Sequence, residues 1–472
     1  MYLTSELKRK LLQFLGLILV SIVVTYYLPA PVVSLFFLAL LVVYFRSDAE
    51  PFWLAYFLVI SDGFFGFFEG PVALVGILPG LPAIEAPQLY IMIALYKAIR
   101  KKTDFQVFFH VILKVMLVYL LFLVVQGYVL GISLSLNIQF RLVKIILPLA
   151  LFYIVPRLFD REEHYMTFLK YLFPVAAVAF LAQLFSIVMG ESPTKFFGVA
   201  GEDEGIFHID EQSVYRGFYN AKIVLFTYFG ALFALAVKSK HFKPALLYGV
   251  VAVDFLSVFL SATRGWMIGI TLTLLLFILY VARIQIAQTA RVMIILVILG
   301  GILYSFPIVR LQVNNSVERM MTLEALAEGD VTAGGTLKRL DERSPKVIGK
   351  WKRSVLTGWG FSDEFFDYKD PHVGNQTILM HSGILGAILM ALFFFYFNAT
   401  LFLKSISLPY DNIYKKALLV FVIFFLGWFI IHSTSSQYFS YYQSPGGAMV
   451  QAFFFSLGAL AYREATKSAL PA

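Results

Sequence analysis

Residues 370–403 read DPHVGNQTILMHSGILGAILMALFFFYFNATLFL. A polar loop end carrying His372, Asn375 and Gln376 gives way to an apolar run that holds one further histidine, His381. A helix rises 1.5 Å per residue, so about 20 apolar residues cover a hydrocarbon core of about 30 Å. The run is long enough to do this. It predicts a membrane-crossing helix over 375–403, entered from a polar loop.

The rest of the chain repeats the pattern. Of its 472 residues, 60% are apolar and only 14% are charged, and the mean hydropathy is +0.79. A soluble domain needs about a quarter of its residues charged to cover its surface. The fold expected is therefore all-α, a polytopic integral membrane protein, because in lipid only helices or a closed barrel satisfy every backbone group. Apolar stretches near 11–28, 31–45, 52–69, 84–99, 107–129, 141–156, 166–189, 221–237, 244–262, 265–282, 292–306, 375–403, 416–432 and 446–462 give about fourteen spans. Pro71, Pro79, Pro82 and Pro87 interrupt the region 52–99. The first segment follows Lys8-Arg9-Lys10 without a small-residue cleavage site and is read as a retained helix. The absence of cysteine excludes disulfides, thiolate metal sites and a cysteine nucleophile.

Basic residues fall on alternate connections: Lys8-Arg9-Lys10, Arg46, Lys97 with Arg100-Lys101-Lys102, Arg157 with Arg161, Lys238 with Lys240 and Lys243, Arg283 with Arg291, Lys404 with Lys415-Lys416, and Arg463 with Lys467. The positive-inside rule makes these connections, and both termini, cytoplasmic. The net charge of +9 follows from this bias and needs no nucleic acid to explain it. Two long connections then face outward, 190–220 and 307–374. The longer is expected to form a helical subdomain on the outer face, since ERMMTLEALAEGD (318–330) and PKVIGKWKRSVLTGWGF (345–361) carry helix-like apolar spacing between glycine breaks. No internal repeat and no fused soluble domain is read, so residues 1–472 form a single membrane domain.

Topology sorts the unusual residues by side. Arg216 in SVYRGFYNA, Arg264 in LSATRGWMIG and His372 all fall at the outer face, as do Arg141 and Lys144. Arginine at a helix end is commonly a snorkelling anchor. Arg264, however, sits in the polar turn Ser261-Ala262-Thr263-Arg264-Gly265 and runs against the charge bias. A guanidinium held there suits a phosphate-bearing ligand, which it grips bidentately. His372 is either a loop cap or, with an imidazole that titrates near neutrality, an acceptor for a hydroxyl proton. His381 lies nine residues further on and not at helical metal-pair spacing. No metal site is expected, and His381 reads as a buried, hydrogen-bonded histidine. Glycine-rich phosphate loops and nucleophile elbows are absent. Glu202-Asp203-Glu204 and Asp210-Glu211 read as a solvated loop surface rather than a carboxylate pair. Asp62 and Asp254 fall inside spans, where a charge marks an ion path, a partner for an arginine or the cap of a broken helix.

Four motifs together resemble the bacterial O-antigen ligases and O-antigen polymerases. His372 is followed, after the nine positions 374–382, by Gly383-x-x-Gly386, in the family's pattern of a histidine and a small polar residue before G-x-x-G. Val373 stands where the family carries Asn, Ser or Gln, with Asn375 and Gln376 as nearby substitutes. LSATRGWMIG resembles the family's Ser-x-Ser-Arg-Gly helix start, YRGFYNA its arginine–glycine–aromatic–asparagine loop, and WKRSVLTGWGF the segment before the histidine. The match covers residues 210–390.

The resemblance implies a GT-C-like, metal-independent, inverting glycosyltransferase of a bacterial inner membrane, with its active site periplasmic and no cofactor. The donor implied is a glycan on undecaprenyl diphosphate; the acceptor is a sugar hydroxyl, on a second lipid-linked repeat for a polymerase or on lipid A-core for a ligase. The span count and the long 307–374 loop favour a polymerase. His372 would be the general base, Arg216 and Arg264 would bind diphosphate, and Arg141, Asn375 and Gln376 would support them. Membrane lipids and other polysaccharide-assembly proteins are the expected partners. The rival class is a transporter or flippase for a lipid-linked or anionic substrate, which explains spans, outer arginines and intramembrane acids without catalysis, although internal repeats would be expected of it.

Overall fold

The structure, a computed structural model, describes residues 5–61, 73–74, 82–189, 193, 206–209, 212–215, 221–282, 286–321, 338–409, 412–431 and 439–468. It is almost entirely helical. In chain order the helices are α1 (Ser5–Tyr27), α2 (Ala30–Arg46), α3 (Glu50–Ser61), α4 (Ala86–Arg100), α5 (His110–Leu130), α6 (Leu136–Ile146), α7 (Leu151–Leu158), α8 (Glu162–Met189) and α9 (Ala221–Ala236). They continue with α10 (Pro244–Leu260), α11 (Arg264–Leu276), α12 (Ile286–Tyr304), α13 (Pro307–Met321), α14 (Lys338–Trp351), α15 (Asp363–Tyr368), α16 (Gly374–Ser407), α17 (Ile413–Ile431) and α18 (Pro445–Lys467). Two short antiparallel hairpins pair β1 (Ala73–Leu74) with β2 (Ile84–Glu85) and β3 (Ile206–Ile209) with β4 (Gln212–Tyr215).

The stretches expected as spans overlap these helices, but 141–156 is divided between α6 and α7 by a 3-10 turn, and 62–69 lies outside the described residues. By length and composition, seven described units are long and apolar enough to cross a membrane: α1, α5, α6 with α7, α8, α11 with its continuation to Val281, α16 and α17. The pair α12 and α13, bent by 114° between Tyr304 and Pro307, raises this to eight if counted as one span. Helices α2, α3, α9 and α10 are apolar but shorter. Leu117, Val118, Leu121 and Val125 on α5 and Leu392 and Phe395 on α16 are exposed. Such an apolar surface is unstable in water and is the surface a lipid environment selects. The protein is a helical, multi-pass membrane protein.

Local sequence explains the element ends. Helix α4 starts with Pro87 in its first turn, and the Glu85 amide donates to Gln88 Oε1 at 3.2 Å in a capping box. Helix α5 is apolar on every side and stops at Gly131, whose φ of 95° only glycine adopts readily. Glu162 and Glu163 open α8, where the positive end of the helix dipole favours them. The core is aromatic. Phe397 and Phe425 close on Phe455 at 4.7 and 4.4 Å, and Phe424 on Phe454 at 4.2 Å, tying α16, α17 and α18 together. Such pairs each add about 0.5–1.5 kcal/mol beyond their burial.

Several of the basic connections meet at one end of the bundle. Lys101 pairs with Asp160 at 3.2 Å, Arg463 donates to the Asp160 carbonyl at 3.4 Å, and Lys170 lies 3.4 Å from His241. Helix α5 begins at this end, with Phe108 on Tyr462 and Phe109 on Phe393, and finishes beside Phe361. Its 21 residues put the two ends about 30 Å apart. His372 belongs to the opposite end.

Candidate functional site

The site is organised by a break in α16. Gly383 has φ 60° and ψ −172°, inside what is otherwise one helix of 34 residues. A break in an apolar segment strands backbone donors and acceptors, and each unmet group costs several kcal/mol. Here another stretch of chain meets them. The amides of Trp359 and Gly360 donate to the carbonyls of Met380 and His381 at 2.8 and 2.9 Å, while the amides of Ile384 and Leu385 donate to those of Val355 and Leu356 at 3.0 and 3.1 Å. The approach requires glycine on both sides. A Cβ on Gly383 would lie 2.3 Å from the Leu356 oxygen, and one on Gly358, itself at φ 68°, would lie 2.5 Å from the His381 oxygen. Helix α5 holds both parts. Gln126 Nε2 donates to Thr357 Oγ1 and to the Gly358 carbonyl, both at 2.9 Å, and the Tyr119 hydroxyl donates to the Ser382 carbonyl at 2.6 Å.

Two of the four motifs, WKRSVLTGWGF and the stretch from His372 to Gly386, are therefore one construction. The helical spacing read over 345–361 holds only as far as Trp351, because residues 354–362 turn away to fill the break.

His372 sits in a 3-10 turn, Pro371–Val373, just before α16. Asp370 Oδ1 accepts the His372 amide at 2.8 Å, and the Thr377 hydroxyl bridges the Asp370 backbone, donating to its carbonyl at 2.9 Å and accepting from its amide at 3.2 Å. Arg343 from α14 reaches Asp370 at 3.4 Å. Val373 is 1% exposed and packs with Phe361, Phe365 and Phe366. An apolar residue at this position anchors the turn inward and leaves the neighbouring His372 exposed. Asn375 and Gln376 follow on the first turn of α16, both half-buried.

His381 is buried, as expected. Its Nε2 has no hydrogen-bond partner among the described residues. Its ring lies 4.5 Å from Phe361, 4.4 Å from Phe365 and 5.1 Å from Tyr442, so the aromatic side chains of α15 and its neighbours enclose it.

Arg141, on α6, lies close to the histidine loop. Its guanidinium is 4.9 Å from the Phe366 ring centre, and Lys369 Nζ is 5.5 Å from the same ring. Burial, and then the Arg141 charge, push the Lys369 amine down to about 8. Lys369 escaped the sequence reading; its only signal was its place three residues before His372. Lys144 is taken up by Glu85 at 3.1 Å.

Arg264 opens α11 after a turn in which Ala262, not glycine, has φ 51°. Gln312 of α13 donates to the Leu260 carbonyl at 2.9 Å and fixes this turn. Gly265 approaches α17 so closely that a Cβ would lie 3.0 Å from the Ile431 oxygen. Arg264 is half-buried, at the same end of the bundle as His372, and follows Leu260, which packs with Val309 and not with the cluster of Val373. No contact joins it to His372 among the described residues. Arg216, Asp62 and the acidic residues at 202–204 and 210–211 lie outside the described residues; β4, which ends at Tyr215, borders α13. No group of three or more His, Asp or Glu side chains gathers among the described residues.

Set beside protein-family models, curated proteins and solved structures, the chain matches none of them.

Proposed function

We propose that this protein is a membrane glycosyltransferase that moves or polymerises a glycan from an undecaprenyl-diphosphate-linked donor onto a sugar hydroxyl at the periplasmic face, acting as a polymerase in preference to a ligase. The observation that carries the reading is the seating of residues 354–362 in the break at Gly383, which couples two of the four motifs and presents an exposed His372 on a rigid turn.

The chemistry is a single displacement. His372 takes the proton of the acceptor hydroxyl, the oxygen attacks the anomeric carbon, and the bond to the diphosphate breaks with its electron pair leaving on phosphate. Charge builds on the leaving oxygen, where Arg264, with Arg216 by resemblance, offsets it. Attack and departure occur on opposite faces of the carbon, so base and phosphate-binding arginines must stand apart with the sugar between them. The separate packing of His372 and Arg264 is compatible with that demand.

The test is a reconstituted assay with purified protein and a lipid-linked donor. Product glycan that disappears in His372→Ala, with folding retained, is the expected result; near wild-type transfer by that variant would remove the base assignment. Deletion of the gene separates the two acceptors, since single-repeat capping marks a polymerase and unattached lipid-linked polymer a ligase. A carrier reading draws on Asp254, a carboxylate 1% exposed within α10 beside Thr227. Movement of donor across the bilayer without bond formation would favour it.

A further inference from the structure

Two like charges stand together at the loop that leads to His372. Arg141 and Lys369 both lie within 6 Å of the Phe366 ring centre, and they come from parts of the chain far apart in sequence. Neither makes an ion pair among the described residues. The neighbouring acids are already engaged. Asp363 Oδ1 accepts the Ser133 amide at 2.9 Å, Glu364 pairs with Lys350, and Asp370 holds Arg343 and the His372 amide. Asp367 is exposed and makes no ion pair among the described residues. Packing two cations on one aromatic side chain costs repulsion, which an anion between them would turn into attraction. Arginine supplies a planar fork and lysine a point charge, a pairing suited to an oxyanion.

The geometry points to an oxyanion-binding site formed by Arg141 and Lys369 over Phe366, which takes an acidic group of the glycan substrate, either a sugar carboxylate or a phosphate, at the loop that leads to His372. The identity of the ligand as a glycan rests on the transfer reading above; the anion site itself does not. The site also departs from the assignment of anion binding to Arg216 and Arg264 alone, because its two cations pack on Phe366.

The test needs no turnover. The full-length protein in lipid nanodiscs is acylated at pH 8 with an amine-reactive reagent, and labelling of Lys369 is followed by peptide mass spectrometry, with the exposed Lys352 as internal control. Inorganic pyrophosphate and glucuronate are the competing probes. At about twice its dissociation constant, a ligand that covers the amine slows labelling about threefold. Protection of Lys369 but not Lys352 is expected, lost in Arg141→Gln and partly kept in Arg141→Lys. Protection by pyrophosphate alone assigns the site to phosphate, and protection by glucuronate assigns it to an acidic sugar. Equal labelling with and without both probes, or full protection surviving in Arg141→Gln, overturns the site. Because His372→Ala tests transfer separately, either result can fail without the other.

Discussion

Gly360 donates its amide to the carbonyl of His381 at 2.9 Å, so a loop residue replaces the helical partner that the break at Gly383 removes. The bond joins two segments whose relative position decides where His372 stands. Its consequences are open to measurement.

Gly383→Ala would place a side chain at φ 60° and ψ −172°, with its Cβ 2.3 Å from the Leu356 oxygen. The backbone strain alone costs about 1–3 kcal/mol, and the collision is with main chain that cannot swing aside. A lowered unfolding temperature in detergent is expected, with Gly249→Ala, which meets nothing within 4 Å, as the near-neutral comparison.

Gln126→Leu removes both hydrogen bonds that α5 sends to Thr357 and Gly358. Leaving these polar groups without a partner costs about 1–3 kcal/mol. The loop should become accessible to protease at residues 352–358 before the bundle as a whole unfolds. Cleavage at the wild-type rate would show that α5 does not hold it.

At the basic end, Lys97 pairs with Glu50, whose residue exposure is 8%, and Tyr44 donates to the same carboxylate at 3.0 Å. Lys97→Met strands a buried acid, which costs about 3–5 kcal/mol. The double change Glu50→Gln with Lys97→Met should recover most of that loss in a detergent unfolding series.

For Lys369 the sign follows from its lowered amine, down to about 8. The side chain is charged below that pH and neutral above it, whereas an unfolded lysine keeps its proton to about 10.4. The folded state therefore binds fewer protons between these values, and this group makes stability rise with pH across that window. Arg141→Gln removes one of the two causes of the shift. The midpoint of the labelling profile should move upward, and an unmoved midpoint would leave burial as the whole cause.

Arg264→Lys should reduce glycan transfer about tenfold or more, about 1.4 kcal/mol of barrier per decade, because an ammonium does not reproduce bidentate contact. Retained unfolding temperature alongside the loss would separate this from damage to the close packing of α11 on α17.

Much of the helix placement is legible in the sequence, since the apolar stretches overlap helices among the described residues. Long runs such as 110–130 declare themselves through hydropathy alone. The 3-10 turn at Pro148, by contrast, divides a stretch that hydropathy reads as a single span, because proline lacks a backbone donor. The seating of residues 354–362 does not read out, because it is a long-range pairing of backbone groups and leaves no periodicity. Its trace is three glycines, Gly358, Gly360 and Gly383, which in sequence signal only close approach. The Arg141–Lys369 pair is hidden for a similar reason. Charge bias sorts residues by side but says nothing of who stands beside whom within one side. Val373, by contrast, departs from the motif in sequence and gains a structural role as an inward anchor.

The way α5 grips both the inserted loop and the broken helix also affects how the protein senses its surroundings. The upper piece of α16, residues 374–382, is hung from α5 through Ser382 and from the loop through Met380 and His381, rather than being a stiff continuation of its own lower half. A bilayer thinner or thicker than its hydrophobic length tilts a spanning helix at modest cost. Tilting α5 would then pull residues 374–382 with it relative to the rest of α16, so the bend at Gly383 is the point at which a change in bilayer thickness would be absorbed.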